Sequence, residues 1–372
     1  MTKAFMQVSP VPLLRDYTDV ESENDTYSLA HQSREEKRVF SMFSLGTFSR
    51  DDGRRFAGMC QGERVIELAS LQALGSEAGG LWQPQASVLD LLTAWDVHLP
   101  ALRRLAERVA SARLAGEAMS SLTVHPPVDL PRQIFCIGAN YRKHVVDLTV
   151  DSGVGPEGLE GDELRRWAEN MMDERARTGE PYAFMKAVSA VTGANGDVLL
   201  PQGSVSPDWE AELAVVIGRG GRRIKRDQAM SHIAGFAIAN DLTCRDRIPR
   251  TDYKMLGTDW LQAKSPPTFL PFGPVLVPAC FVPDPHALRI TLKLNGQSMQ
   301  DETTADMIFD ISRQIEYVSR HAELWPGDVI CTGSPAGNGT HYNRFLRPGD
   351  VLDVTIEGLG AQRNVCVADA AE

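Results

Sequence analysis

Residues 206–218 read SPDWEAELAVVIG and residues 233–241 read IAGFAIAND. Both stretches read as strands, and the second, almost wholly apolar, as a buried one. Side chains two residues apart on a strand share a face, so Glu210 and Glu212 present two carboxylates side by side. Asp241 adds a third where the second buried strand emerges. Like charges that close are unfavourable unless something neutralises them. Three hard oxygen donors with no Cys or His nearby suit Mg2+ or Mn2+ far better than zinc. An i, i+2 pair of acids also occurs on solvated sheet faces, and the pair alone does not decide between the two.

Outward from this pair the chain stays rich in strand patterns punctuated by Gly and Pro: QIFCIGANY, ALRITLKLNG, DVICTGSPAG and DVLDVTIEGLG. Regular helices do not separate them, which argues against a doubly wound or barrel architecture and for a complex α+β fold. One helix is expected from Thr304 to His321, where Ile308, Ile311, Ile315 and Val318 share a face. Upstream, KRVFSMFSLG and RRFAGMCQGERVIELASL alternate apolar and polar residues across the turn signals DDG and QGE. Helical leucine spacing follows over 87–95 and 100–115. This predicts a small N-terminal α/β domain over 37–125 and a larger domain over 126–372. Residues 1–36 are polar and acidic without periodicity and read as an arm, disordered or wrapped on a neighbour.

The 372 residues carry 38 Lys+Arg against 49 Asp+Glu, a net charge of −11. That balance argues against a nucleic-acid partner, which would ask for a basic face. No apolar run is long enough to span a bilayer, and the first residues lack a signal-peptide layout, so the expectation is a soluble cytoplasmic protein with no membrane partner. The six cysteines are scattered without a CxxC pair and are expected to be buried free thiols.

Other residues could carry chemistry. In IFCIGANYRKHVVD an apolar strand leads into His144 and Asp147, i and i+3 on one helical turn. A carboxylate so placed can orient an imidazole as general base, although a His and an Asp at this spacing are often only structural. Tyr141 precedes them as a candidate substrate contact. Lys264, among prolines and aromatics in DWLQAKSPPTFLPFGP, is either at the surface or aimed at an anion. Arg245 follows Asp241 by four residues and could equally be paired with Asp246. In CTGSPAGNG, Thr332, Gly333 and Ser334 could receive a carboxylate on hydroxyls and backbone amides. Neither a G-x-S-x-G elbow nor a P-loop occurs. The charged segment 148–180 combines the loop-like DSGVGPEGLEG with the helical GDELRRWAENMMDERAR; it is either a solvated excursion or a lid that orders over substrate and sets specificity.

Taken in order, NYRKH, FMK, DWEAELAVVIG, AGFAIANDLTCRD, KSPPTFLPFGP, LKLNGQSMQ, TADMIFDI, WPGDVICTGSPAG and LRPGDVLDVTIEGLG resemble the fumarylacetoacetate hydrolase family. The resemblance is dense from about Arg132 onward. It implies a mixed β-sandwich roll for the catalytic domain, usually homodimeric, with Mg2+ or Mn2+ on Glu210, Glu212 and Asp241. It further implies a His144–Asp147 pair, a catalytic Lys264, an oxyanion-stabilising Arg245 and a substrate hydroxyl on Ser334, and it places the family's lid at 148–180. Four departures from the family pattern stand out: Asp147 for Glu, Ser334 for Thr, Pro266-Pro267 after the lysine, and Ile248 where fumarylacetoacetate hydrolase itself has Gln. The last points away from fumarylacetoacetate as the substrate.

Family substrates are 2-oxo or 1,3-dicarbonyl acids. The resemblance therefore implies hydrolysis of a carbon–carbon bond in an acylpyruvate-like or related diketo acid, in catabolism of aromatic or sugar-acid compounds. The alternative is decarboxylation, hydration or tautomerisation of an oxaloacetate-like 2-oxo acid at the same site. A third reading, a metal- or ligand-binding homologue without turnover, is motivated by Pro266-Pro267 and Ile248.

Overall fold

The computed structural model describes residues 42–72 and 82–369. The arm expected at 1–36 lies outside the described residues.

The N-terminal part is an antiparallel sheet in the order Glu117–Ala118, Arg64–Glu67, Arg55–Gln61, Ser44–Ser49, Thr123–His125. The DDG and QGE signals make its first two turns, with Gly53 and Gly62 at positive φ, where a side chain would be strained. Two helices follow, Val88–Leu92 and Trp95–Ala112. Ser87 and Asp90 form a reciprocal capping box at the start of the first. The second begins a turn earlier than its leucine spacing suggests and runs through Pro100, because buried Trp95 and His98 anchor its first turn on the core.

The strands expected from the paired stretches form at Ala211–Ile217 and Ile233–Asn240, antiparallel, with Ala211 opposite Asn240 and Glu212 opposite Ala239. Every residue of both is buried. They lie at the middle of a mixed sheet ordered Tyr182–Met185, Ile134–Gly138, Val329–Cys331, Ala211–Ile217, Ile233–Asn240, Leu270–Phe272, Val191–Gly193. A second sheet runs Gln297–Thr303, Arg289–Leu294, Val351–Ile356, Gly360–Ala368, Val198–Leu200. The second sheet packs across the first as a curled sandwich in an α+β fold. Buried Gln362 ties the layers, its amide donating to the carbonyls of Ile238, Pro271 and Gly273 at 3.0–3.2 Å. Coverage on both faces is why the two central strands are apolar apart from Glu212 and Asn240. Backbone bonds between Leu45 and Leu276 join the N-terminal sheet to the larger part, and one hydrophobic core runs through both.

The helix expected over Thr304–His321 is shorter. It spans Ile311–His321, with Asp310 capping the Arg313 amide at 2.8 Å. The preceding residues are drawn off to Asn140, whose carbonyl accepts from Ile308 at 2.7 Å and whose side chain accepts from Phe309 at 2.9 Å. Tertiary bonds thus outcompete the helical pattern there. Segment 148–180 contains the end of one helix, Arg142–Ser152, and the whole of another, Gly161–Thr178. The second docks through a small separate cluster of Val146, Ala168, Met172, Ile308 and Phe309. All six cysteines are free, and five are buried; Cys280 is exposed. Among the described residues no helix is long and apolar enough to cross a membrane.

Candidate metal centre

The antiparallel register sets the centre. Asp241 follows the last residue of its strand and faces Glu210: its amide donates to the Glu210 carbonyl at 2.9 Å, and the Glu210 amide donates to the Asn240 side chain at 2.9 Å. Glu210, Glu212 and Asp241 are all buried and offer oxygens within 4.8 Å of one another. The Gly333 amide donates to Glu212 Oε2 at 2.7 Å. A side chain at Gly333 would collide with Asn140 and the Ile137 carbonyl, which lets the loop approach this closely.

Three cations surround the acids. Lys264 is buried, so of the two sequence alternatives it is the one aimed at anions: Nζ donates to Asp241 Oδ2 at 2.6 Å and to Glu210 Oε2 at 2.8 Å. Arg245 is paired with Asp208 at 2.9 Å and with Glu210 at 2.7 Å, while Asp246 is held by Ser204 and Ser206 instead. Lys186 lies 2.9 Å from Asp241 Oδ1 and donates to the carbonyls of Leu242, Phe269 and Lys264. Burial would raise the Glu210 carboxyl, but Lys264 and Arg245 override it and hold it down at about 2. Burial would depress Lys264, yet Asp241 and Glu210 raise it above its ordinary value. Glu212 goes the other way: burial, then Asp241, push its carboxyl well above the usual range. A carboxylate thus strained, among three converging hard oxygens, is a donor set that fits Mg2+ or Mn2+.

His144 and Asp147 both lie on Arg142–Ser152. Burial and the Arg245 charge push the His144 imidazole down to about 4, so it is neutral near pH 7. No hydrogen bond joins the two among the described residues. Asp147 instead accepts from Arg165 of the Gly161–Thr178 helix at 2.9 Å. Tyr141 is fully buried, and its hydroxyl has no hydrogen-bond partner among the described residues. The Thr332 hydroxyl turns back to the Leu213 carbonyl at 2.9 Å, and Ser334 Oγ accepts from Gln300 at 3.1 Å.

Sequence reasoning missed Lys186, Asp208 and Gln300 as parts of this centre. A signal existed for two of them. Asp208 extends the two-residue alternation of Glu210 and Glu212 upstream, and Lys186 is a lone cation in AFMKAV. Gln300, which accepts from the Ala211 amide at 3.1 Å, had none.

Residues 133–367 match the family described as fumarylacetoacetate (FAA) hydrolase C-terminal. The human oxaloacetate tautomerase FAHD2B, mitochondrial, is 36% identical over 265 residues, covering 71% of this chain and 75% of that protein. The 2,4-didehydro-3-deoxy-L-rhamnonate hydrolase of Sphingomonas sp. (strain SKA58) is 42% identical over 187 residues, 50% of this chain and 64% of that protein. Maleylpyruvate hydrolase from Sphingobium sp. SYK-6, solved in complex with manganese(II) ion and pyruvate, shares the fold with a TM-score of 0.63 and 24% identity, covering 88% of this chain and 100% of that one. The chain therefore belongs to the fumarylacetoacetate hydrolase family of enzymes.

Proposed function

We propose that this enzyme acts on a small 2-oxo acid, with Mg2+ or Mn2+ held by Glu210, Glu212 and Asp241, and that its reaction is keto–enol tautomerisation of an oxaloacetate-like acid. The observation that carries this reading is Asp147 on Arg165 rather than on His144. Hydrolysis of a carbon–carbon bond needs water deprotonated by a strengthened base, and an imidazole near 4 that makes no hydrogen bond to Asp147 is a weak one. Moving a proton between carbon and oxygen of an enolisable acid asks less of His144. Lys264 and Arg245 place positive charge where negative charge develops on oxygen as the proton leaves carbon. A divalent ion at the three acids would supply Lewis-acid polarisation of the 2-oxo acid's oxygens. Similarity to the FAHD2B tautomerase over 71% of the chain supports the same reading.

The second reading is hydrolysis of an acylpyruvate-like acid, supported by the hydrolase relative that matches half of the chain. Decarboxylation and hydration would use the same residues. Homodimeric assembly, implied by the family resemblance, and a cytoplasmic site of action belong to the proposal.

Metal-stripped and Mg2+-restored protein should be assayed in parallel for decay of enol-oxaloacetate absorbance and for acylpyruvate cleavage. Metal-dependent acceleration of the first is expected. Cleavage of acylpyruvate without any acceleration of oxaloacetate tautomerisation would replace the first reading by the second, and His144→Ala should then abolish the cleavage.

A further inference from the structure

We propose that Arg165 reads the second carboxylate of the oxaloacetate-like diacid, and that Asp147 occupies that carboxylate's place in the free protein. This deepens the reading of the site as one for a 2-oxo acid and rests on it.

Arg165 Nη1 donates to Asp147 Oδ1 at 2.9 Å. A guanidinium has five N–H donors in a planar fork. Asp147 is the one recorded partner of Arg165 among the described residues, and the arginine side chain is 43% exposed, so most of the fork is open. Asp147 lies three residues beyond His144 on the same helix, about 4.5 Å further along its axis. Beside Asp147 itself, the charges acting on His144 are those of Arg245, Glu210 and Asp208, so its face of the helix looks onto the acid cluster. A ligand whose 2-oxo acid end meets Lys264, Arg245 and the three acids would run past His144 towards Arg165. The added helical step is comparable with the length of a four-carbon diacid.

Exchange of one carboxylate for another on Arg165 is easy, because a partly exposed ion pair contributes little by itself. A planar fork receives a carboxylate in two parallel bonds, which gives direction as well as charge. The supporting helix is fixed: Arg142 pairs with Asp173 at 2.8 Å, and Arg313 donates to the carbonyls of Ala176 and Gly179 at its far end. Arg165 is thus presented from a docked element.

The test uses full-length Mg2+-loaded protein and two ligands, pyruvate and 3,3-difluoro-oxaloacetate, a diacid that cannot enolise, with binding measured calorimetrically. Arg165→Met should weaken the diacid by about tenfold or more, the scale of a lost charge-assisted hydrogen bond, and leave pyruvate unchanged. Arg165→Lys should recover part of the loss. Asp147→Asn, which removes the internal competitor, should tighten the diacid. Equal losses for both ligands, or an unchanged diacid affinity in Arg165→Met, would overturn the proposal. Should Arg165→Met not fold, Asp147→Asn decides: unchanged or weakened diacid binding overturns it. Wild-type protein that binds neither ligand would remove the 2-oxo acid reading itself, and this proposal with it.

Discussion

Lys186 is a cation almost without solvent, yet each direction around its ammonium is filled: one carboxylate oxygen and three backbone carbonyls. Replacing it by Met would leave those carbonyls without a donor and Asp241 with one cation fewer. Lys186→Met is expected to cost about 3 kcal/mol or more, seen as a lower denaturant midpoint; an unchanged midpoint would mean that the carbonyls find other donors. His144 makes stability depend on pH. Its ordinary value is 6.5 and its folded value about 4, so the unfolded chain takes up the proton first. Stability is therefore full above about pH 6.5 and falls as the pH drops towards 4, by at most about 3 kcal/mol from this group. His144→Ala should flatten that limb in a series of denaturation curves. A slope as steep as wild type would assign the acid sensitivity to other groups.

Among the elements, the Gly161–Thr178 helix has the most independent footing, since its apolar contacts form a cluster separate from the main core. Its composition made it legible as a helix. What it packs on was not, because Val146 belongs to the preceding helix and Ile308 and Phe309 come from far along the chain; of the buried members only Ala168 and Met172 are its own. Met172→Ala removes a buried side chain and should loosen this helix by about 2 kcal/mol or more. Hydrogen exchange should then speed up across 161–178 while amides in Ala211–Ile217 keep their protection. Equal acceleration in both would show that helix and sheet open as one unit. The shortened Ile311–His321 helix teaches the same lesson from the other side: a periodic pattern reports which residues want burial, and Asn140 decided that Ile308 and Phe309 are buried outside the helix.

Across the whole molecule, a chain of net charge −11 gathers Asp208, Glu210, Glu212 and Asp241 in its interior against Lys186, Lys264 and Arg245. A divalent ion that binds only the folded state should stabilise it, by about 2.7 kcal/mol at a hundred times its dissociation constant. Adding Mg2+ or Mn2+ to stripped protein should therefore raise the melting temperature, and Glu212→Gln should abolish the rise; a wild-type melting temperature indifferent to both ions would remove the metal reading. The amino-acid sequence by itself determined the two strands, the burial of the second, the shared face of Glu210 and Glu212 and the emergence of Asp241, because alternation along a strand is a property of neighbours two residues apart. It also carried the family. Only the tertiary structure decided that Lys186 and Lys264 both meet Asp241, and that Asp147 belongs to Arg165 and not to His144. These partners are 18 to 55 residues apart in sequence. No local period links such positions; the choice of partner follows from which elements pack together and from the need of each buried charge for the nearest opposite one.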